Sequence, residues 1–152
     1  MDVMHELRAQ AEISRLLYLY AYHIDSGDFD AQAELFRHAT VSASVGHEMF
    51  GADAFRAMER AFVRTYDDGT PRTKHVITNV VVDVAPDGAS AGSRCYFHVL
   101  QAAPGFALQP ICAGRYEDRF ECVDGAWRFS RREMRIDLAG DFSAHLLKTL
   151  PK

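Results

Sequence analysis

The sequence predicts an α+β domain, a strongly curved antiparallel sheet wrapped around N-terminal helices to make a cone with an internal cavity. Three observations predict it. Apolar residues follow helical spacing early in the chain, they switch to a period of two from Thr73 onward, and turn residues divide that second part into four long strands. Helices gathered at one end of a long antiparallel sheet give an α+β arrangement. A strongly twisted sheet of this length curls, and the curl can close around a helix.

Residues 4–25 read as one amphipathic helix, with Leu7, Ala11, Ile13, Leu16, Leu17, Tyr20, Ala21 and Ile24 at helical spacing and Gly27 where a helix can stop. Asp28 is a good N-cap for a short second helix carrying Phe29, Ala33, Leu35 and Phe36. TVSASV (40–45) alternates like a short strand. Gly51 and Asp53 introduce a third helix, Ala54 to about Tyr66, with Phe55, Met58 and Phe62 on one face, and DDGTPR (67–72) is a loop. Thr73–Val84, Ala89–Ala102, Gln109–Val123 and Trp127–Asp137 are the long strands. Pro86, Asp87 and Gly88 close the first, and Asp124-Gly125 is a strong hairpin signal. In the last strand Trp127, Phe129 and Arg131 share one face, with Arg128 and Ser130 on the other. The tail, 138–152, is expected to add a short helix through Phe142 and Leu147. No repeat or linker interrupts the chain, so a single domain over 1–152 is expected.

Composition narrows the partners. With 152 residues, 48% hydrophobic and 25% charged, the chain can bury a real core. A net charge of −4 and scattered arginines give no basic face of the kind that phosphate neutralisation requires, so no nucleic-acid partner is expected. No stretch approaches the ~20 apolar residues of a membrane span, and the acidic, polar start carries no apolar signal segment. Cys95, Cys112 and Cys122 lack metal-type spacing and read as reduced thiols, which fits a cytoplasmic location. There is no HExxH or other recognised zinc pattern. Gly114 in GRYEDRF lacks the companion glycines of a phosphate loop. Neither a metal nor another cofactor is expected.

IxxLLYLYAYHIDSGDFDAQAELF (13–36), TKHVITNVVVDV (73–84), GRYEDRFECVDGAWRFSRREMRID (114–137) and DFSAHL (141–146) together resemble the SnoaL-like family of the nuclear transport factor 2-like superfamily. The resemblance covers nearly the whole chain and implies the cystatin-like α+β barrel of that superfamily. It is closest to the branch containing scytalone dehydratase and the bile-acid 7α-dehydratase. Those enzymes remove water without a cofactor, by taking a proton next to a carbonyl with a His–Asp pair and a tyrosine. What the resemblance implies here is Asp25 in HIDSGD as the carboxylate, His75 in TKH as the base and Tyr20 as the tyrosine. It also implies Arg135 as the last-strand arginine. The sequence departs at Ile24, where scytalone dehydratase has a tyrosine, and at Leu100, near which its second histidine would lie. His98 shares that strand face and can stand in.

A carboxylate on one imidazole nitrogen fixes the tautomer and raises the basicity of the other nitrogen. On spacing alone, Asp25 equally fits a turn cap and His75 a satisfied strand edge. Tyr20 could hold a carbonyl oxygen, or belong to the buried stripe with Leu16 and Ile24. On an ideal helix it is turned about 140° from Asp25, at ~100° per residue, whereas Tyr18 and Tyr22 share that face. Tyr22 is therefore the next candidate. Alternation groups Arg94, Tyr96 and His98, so Tyr96 and His98 are candidate substrate contacts. Arg135 alternates with Glu133 and Asp137 and equally fits a surface ion-pair ladder. His5, His23, His38, His47 and His145 show no pairing that suggests catalysis. Arg115, Glu117, Arg119 and Glu121 form the charged face of a strand near an expected subunit interface.

The function expected is a cofactor-independent lyase or isomerase, dehydratase-like, acting on a small cyclic hydroxy-ketone of polyketide or steroid type. Its partner would be that apolar, aromatic or polycyclic substrate, and the family's habit of assembly implies a homodimer or homotrimer. Two alternatives stand beside it. One is a non-catalytic ligand-binding or accessory subunit of the dioxygenase β-subunit kind. The other is a polyketide cyclase.

Overall fold

A computed structural model describes residues 2–43 and 48–148. The first helix, α1 (Val3–Asp25), starts where the Asp2 carboxylate accepts the His5 backbone N–H at 2.9 Å. It buries Ala9, Ile13, Leu17, Tyr20, Ala21 and Ile24, a stripe at spacings of three and four. It ends at Gly27, whose φ of 76° lies in the left-handed region that glycine enters without steric cost. A Cβ at Gly27 would collide with the Gly69 carbonyl oxygen, so the close approach of the 67–72 loop also requires glycine. Asp28 caps α2 (Phe29–Glu34) by accepting the Ala31 N–H at 2.9 Å.

Next come β1 (Thr40–Ala43), β2 (Met49–Phe50) and α3 (Gly51–Phe62). Then follow β3 (Thr73–Val84), β4 (Ser90–Ala103), β5 (Phe106–Val123) and β6 (Ala126–Ala139). The described strands form one sheet in the order β2-β1-β6-β5-β4-β3. The long strands pair as antiparallel neighbours, and Asp124 and Gly125 turn the last hairpin with φ of 52° and 79°. The sheet is mixed rather than purely antiparallel, because β1 lies parallel to β6, with Val41 opposite Arg132. Helix α1 packs into the concave face. Tyr20, Phe36, Phe55, Tyr116, Phe120 and Phe129 lie together in the core.

Three expectations need correction. Helix α3 stops at Phe62 instead of Tyr66, because Val63 is extended and bridges Leu146 from the chain's end. The tail contains no helix among its described residues. It runs as a turn and then this bridge, with the Leu147 N–H on the Phe62 carbonyl at 2.8 Å. In β6, Phe129 shares its face with Arg132 and not with Arg131. Ser130 is an extra residue between the pairs Phe120–Phe129 and Arg119–Arg131, and that bulge reverses the alternation. The end of the expected strand TVSASV and His47 lie outside the described residues.

The cysteines are free. Burial pushes the Cys95 and Cys112 thiols up to about 11, so both stay protonated at neutral pH. Among the described residues no helix is long and apolar enough to cross a membrane.

Candidate functional site

The last turn of α1 and the first residues of β3 meet at one carboxylate. Asp25 Oδ1 lies 2.7 Å from His75 Nδ1 and accepts the Thr73 hydroxyl at 2.8 Å. Its Oδ2 accepts the His75 backbone N–H, also at 2.8 Å. A carboxylate only accepts, so the neutral imidazole carries its proton on Nδ1 and presents the Nε2 lone pair. Both side chains are buried, His75 at 6% and Asp25 at 9% exposure. Local chemistry explains the meeting. Thr73 and His75 point inward at alternate positions of β3, and Asp25 sits one residue before the Ser26 cap, where the helix faces that strand.

Tyr20 lies inside the cone, its ring edge-on to His75 with centroids 6.4 Å apart. It therefore meets the histidine and not Asp25, as the helical geometry requires. Burial pushes its hydroxyl up to about 12, reinforced by Glu59 and opposed by Arg132, so it stays protonated.

The remaining candidates do not join this group. His98 and Tyr96 are exposed on the outer face of β4, opposite to the inward Cys95, Phe97 and Val99. They cannot line the interior, because alternation from inward Gln101 and Val99 fixes them outside. Tyr22 is 75% exposed, on the solvent side of α1. Arg135 is exposed and paired with Glu133 at 3.3 Å, the surface ladder that spacing also allowed.

The arginine inside the cone is Arg132, 1% exposed, which forms a two-pronged ion pair with the buried Asp118, both bonds 2.8 Å. Its guanidinium carbon lies 4.0 Å from the Tyr116 ring centroid, 4.4 Å from Tyr20, 5.0 Å from Phe129 and 5.4 Å from Phe36. This part of the interior is filled by side chains. Burial raises the Asp118 carboxyl despite the opposing pull of Arg132, and raises Glu59 to about 8. Glu59 on α3 and Gln32 on α2 are both buried.

His145, which the sequence passed over, stands beside the pair. Burial depresses it to about 4, helped by His75 and opposed by Asp25, so it is neutral near pH 7. The strap carrying it is anchored through Ala144, whose carbonyl accepts the Tyr66 hydroxyl at 2.6 Å and the Gln101 amide at 3.0 Å. No local pattern marks His145, since only the return of the chain end places it. Asp118 and Glu59 did leave a signal. Asp118 alternates with Tyr116 and Phe120, and Glu59 is four residues past Phe55 on the apolar stripe of α3.

An open cleft of about 540 Å³, lined by Asp25, Thr73, Lys74, Arg72, Thr70 and Leu108 among others, reaches the rim of the pair. A second, of about 660 Å³, opens at the other end, between the start of α1 and the turns at Gly88 and Gly125. No residue of the pair lines it. Among the described residues no group of three or more His, Cys, Asp or Glu side chains is placed to hold a metal ion.

The SnoaL-like domain family matches residues 5–133, most of the chain. The chain belongs to that family. No curated protein matches it. Solved structures share the SnoaL-like fold at low identity. An NTF2-like protein with a cystatin-like fold from Novosphingobium aromaticivorans superposes with a TM-score of 0.74 at 21% identity, over 88% of this chain and 85% of that one. A candidate scytalone dehydratase from the same organism gives 0.68 at 22%, over 93% and 98%. The β subunit of a candidate aromatic-ring-hydroxylating dioxygenase, also from that organism, gives 0.71 at 17%, over 92% and 97%. At these identities the likeness speaks for the SnoaL-like cone and leaves the chemistry to the side chains.

Proposed function

We propose that this SnoaL-like protein is a cofactor-independent lyase or isomerase of the dehydratase kind, acting on a small cyclic hydroxy-ketone. One observation carries the reading: the buried 2.7 Å contact between Asp25 and His75 Nδ1, which leaves Nε2 as a base. In this reaction Nε2 takes the proton from the carbon next to the carbonyl. The C–H electron pair moves into an enolate, and the enolate then expels the β-hydroxyl. The imidazolium gives its proton to the departing oxygen, so the products are an enone and water. Asp25 stays ionised and stabilises the imidazolium during the step. Returning the proton to another carbon instead would give an isomer.

Access to the pair in this reading is from the open cleft lined by Asp25, Thr73 and Lys74, which reaches its rim. The expected substrate is flat and largely apolar, since aromatic rings flank Tyr20 on the interior side. The test is to incubate the purified protein with cyclic β-hydroxy-ketones and follow loss of water by mass spectrometry, with deuterium uptake from heavy water as a second readout. His75→Ala should abolish both while the chain stays folded. A His75→Ala protein that turns over at the wild-type rate would end the proposal.

A second reading draws on the filled interior around Arg132, together with the dioxygenase β-subunit likeness: an accessory subunit that binds no substrate. It predicts that no hydroxy-ketone is turned over and that the chain is recovered with a larger partner. The first reading predicts an active homo-oligomer.

A further inference from the structure

Helix α1 is apolar on two sides. Besides the stripe it buries against the sheet, Met4, Leu7, Ala11, Arg15, Tyr18 and Tyr22 recur at spacings of three and four, and all six are exposed. The large apolar ones, Met4, Leu7, Tyr18 and Tyr22, are between 44% and 75% exposed. At ~100° and ~1.5 Å per residue, this line lies about 150° around the helix from the buried one and runs for about 27 Å. A surface helix ordinarily turns polar residues outward, so a second apolar line marks an interaction face.

The order of residues along the line says what covers it. Aliphatic side chains occupy its first half and aromatic ones its second, with one small residue and one long one between. Laid against its own reverse, the line matches. Met4 falls opposite Tyr22, Leu7 opposite Tyr18, and Ala11 opposite Arg15. The charges match as well. Arg15 has no ion pair among the described residues. Glu12 accepts Arg8 Nε at 2.8 Å on Oε1, which leaves Oε2 for a second cation. In the reversed pairing Arg15 of one copy stands beside Glu12 of the other, on the same flank, and the contact occurs twice. A parallel pairing would set Arg15 against Arg15.

We propose that the exposed face of α1 binds the same face of a second copy of this chain, antiparallel, about a two-fold axis level with Ile13. A two-fold contact needs a surface that complements itself, a symmetry that a foreign partner would not require. The tyrosines bury their rings there and keep their hydroxyls at the wet edge. A contact confined to one helix face is at the small end of specific interfaces. The pair is therefore reversible, with a dissociation constant on the order of micromolar.

Sedimentation equilibrium of the purified full chain tests it. Leu7→Glu and Tyr18→Glu should each weaken self-association at least about tenfold, because each puts a charge into an apolar contact. Arg15→Glu sets a like charge against Glu12 of the other copy, and Glu12→Arg does the same against Arg15. Each alone should associate about tenfold more weakly, since the repulsion occurs twice. Mixed one to one, these two variants should pair at close to the wild-type strength, because both contacts between them are then opposite in charge. Recovery on mixing two defective proteins reports a contact between chains and not the fold of either. Thermal unfolding checks that every variant is folded. A wild type that stays monomeric at about 100 μM would overturn the proposal and leave the face to a different protein. No recovery on mixing would overturn it too, as would association that survives Leu7→Glu and Tyr18→Glu but yields to Tyr96→Glu on the outer face of the sheet.

Discussion

Asp25 holds His75 twice, through the ring at 2.7 Å from Nδ1 and through the backbone N–H at 2.8 Å. The double grip fixes both the tautomer and the direction of the ring, and the Thr73 hydroxyl on the same carboxylate at 2.8 Å keeps Asp25 in place. Asp25→Asn can no longer accept at every one of these contacts. The expected result is a fall in turnover of about 10²–10⁴-fold with little change in substrate binding, the range for removing a positioned acid or base or its orienting group. Steady-state kinetics on the hydroxy-ketone identified by screening would measure it. Unchanged turnover would remove Asp25 from the mechanism.

Asp118 and Arg132 form the second close pair, with both partners essentially without solvent contact. Removing one partner strands the other charge in the core, so Asp118→Ala should cost about 3–5 kcal/mol in urea unfolding. The double change Asp118→Leu with Arg132→Met replaces the pair by apolar groups of similar volume. It should lose much less than the single change, because no charge is left unpaired. A double variant as unstable as Asp118→Ala would show that the ion pair itself, and not its disruption, sets the stability.

Glu59 and His145 give the stability two opposing pH dependences. The folded state holds the Glu59 proton up to about 8 against an ordinary value of 4.5. Its contribution is therefore complete below 4.5 and is lost as the pH rises toward 8, at no more than about 1.4 kcal/mol per pH unit. His145 is depressed to about 4 from 6.5, so its contribution is present above 6.5 and is lost as the pH falls toward 4. Where the windows overlap the slopes offset, and above 6.5 the fall due to Glu59 remains. Glu59→Gln should abolish that fall and uncover the rise due to His145. Unfolding free energies measured across the pH range would show it, and a Glu59→Gln curve parallel to the wild type would refute it.

Gly27 joins a positive φ of 76° to a close approach by the Gly69 carbonyl. Gly27→Ala should destabilise by more than about 1 kcal/mol, because alanine must either strain the backbone or push the loop away. The loop leads into Thr73, and Gly27 lies two residues from Asp25, so turnover should fall as well. A variant with wild-type unfolding and kinetics would show that the loop yields freely.

How much of this was legible in the chain differs from residue to residue. The cone follows from local patterns, since the stripe along α1 and the alternation over Thr73–Val84 report directly which face is buried. The Asp28 cap and the Asp124-Gly125 turn are legible for the same reason, because each acts within a few residues of itself. The candidate pair could also be named, as Asp25 and His75 stand at element ends that the resemblance singles out.

What lies inside the cone was decided elsewhere. Ser130 inserts one residue in β6, and from there the inward arginine is Arg132 while Arg135 turns to solvent, which strict alternation cannot reveal. His98 was assigned to the pocket by its neighbours in sequence, yet the register of β4 puts it outside. His145 comes to the pair only because the chain's end returns to bridge Val63. Periodicity reports a face relative to the residue's own element. Bulges, register and the path of a returning segment depend on pairing between distant residues, and those are settled only when the whole sheet closes on its core.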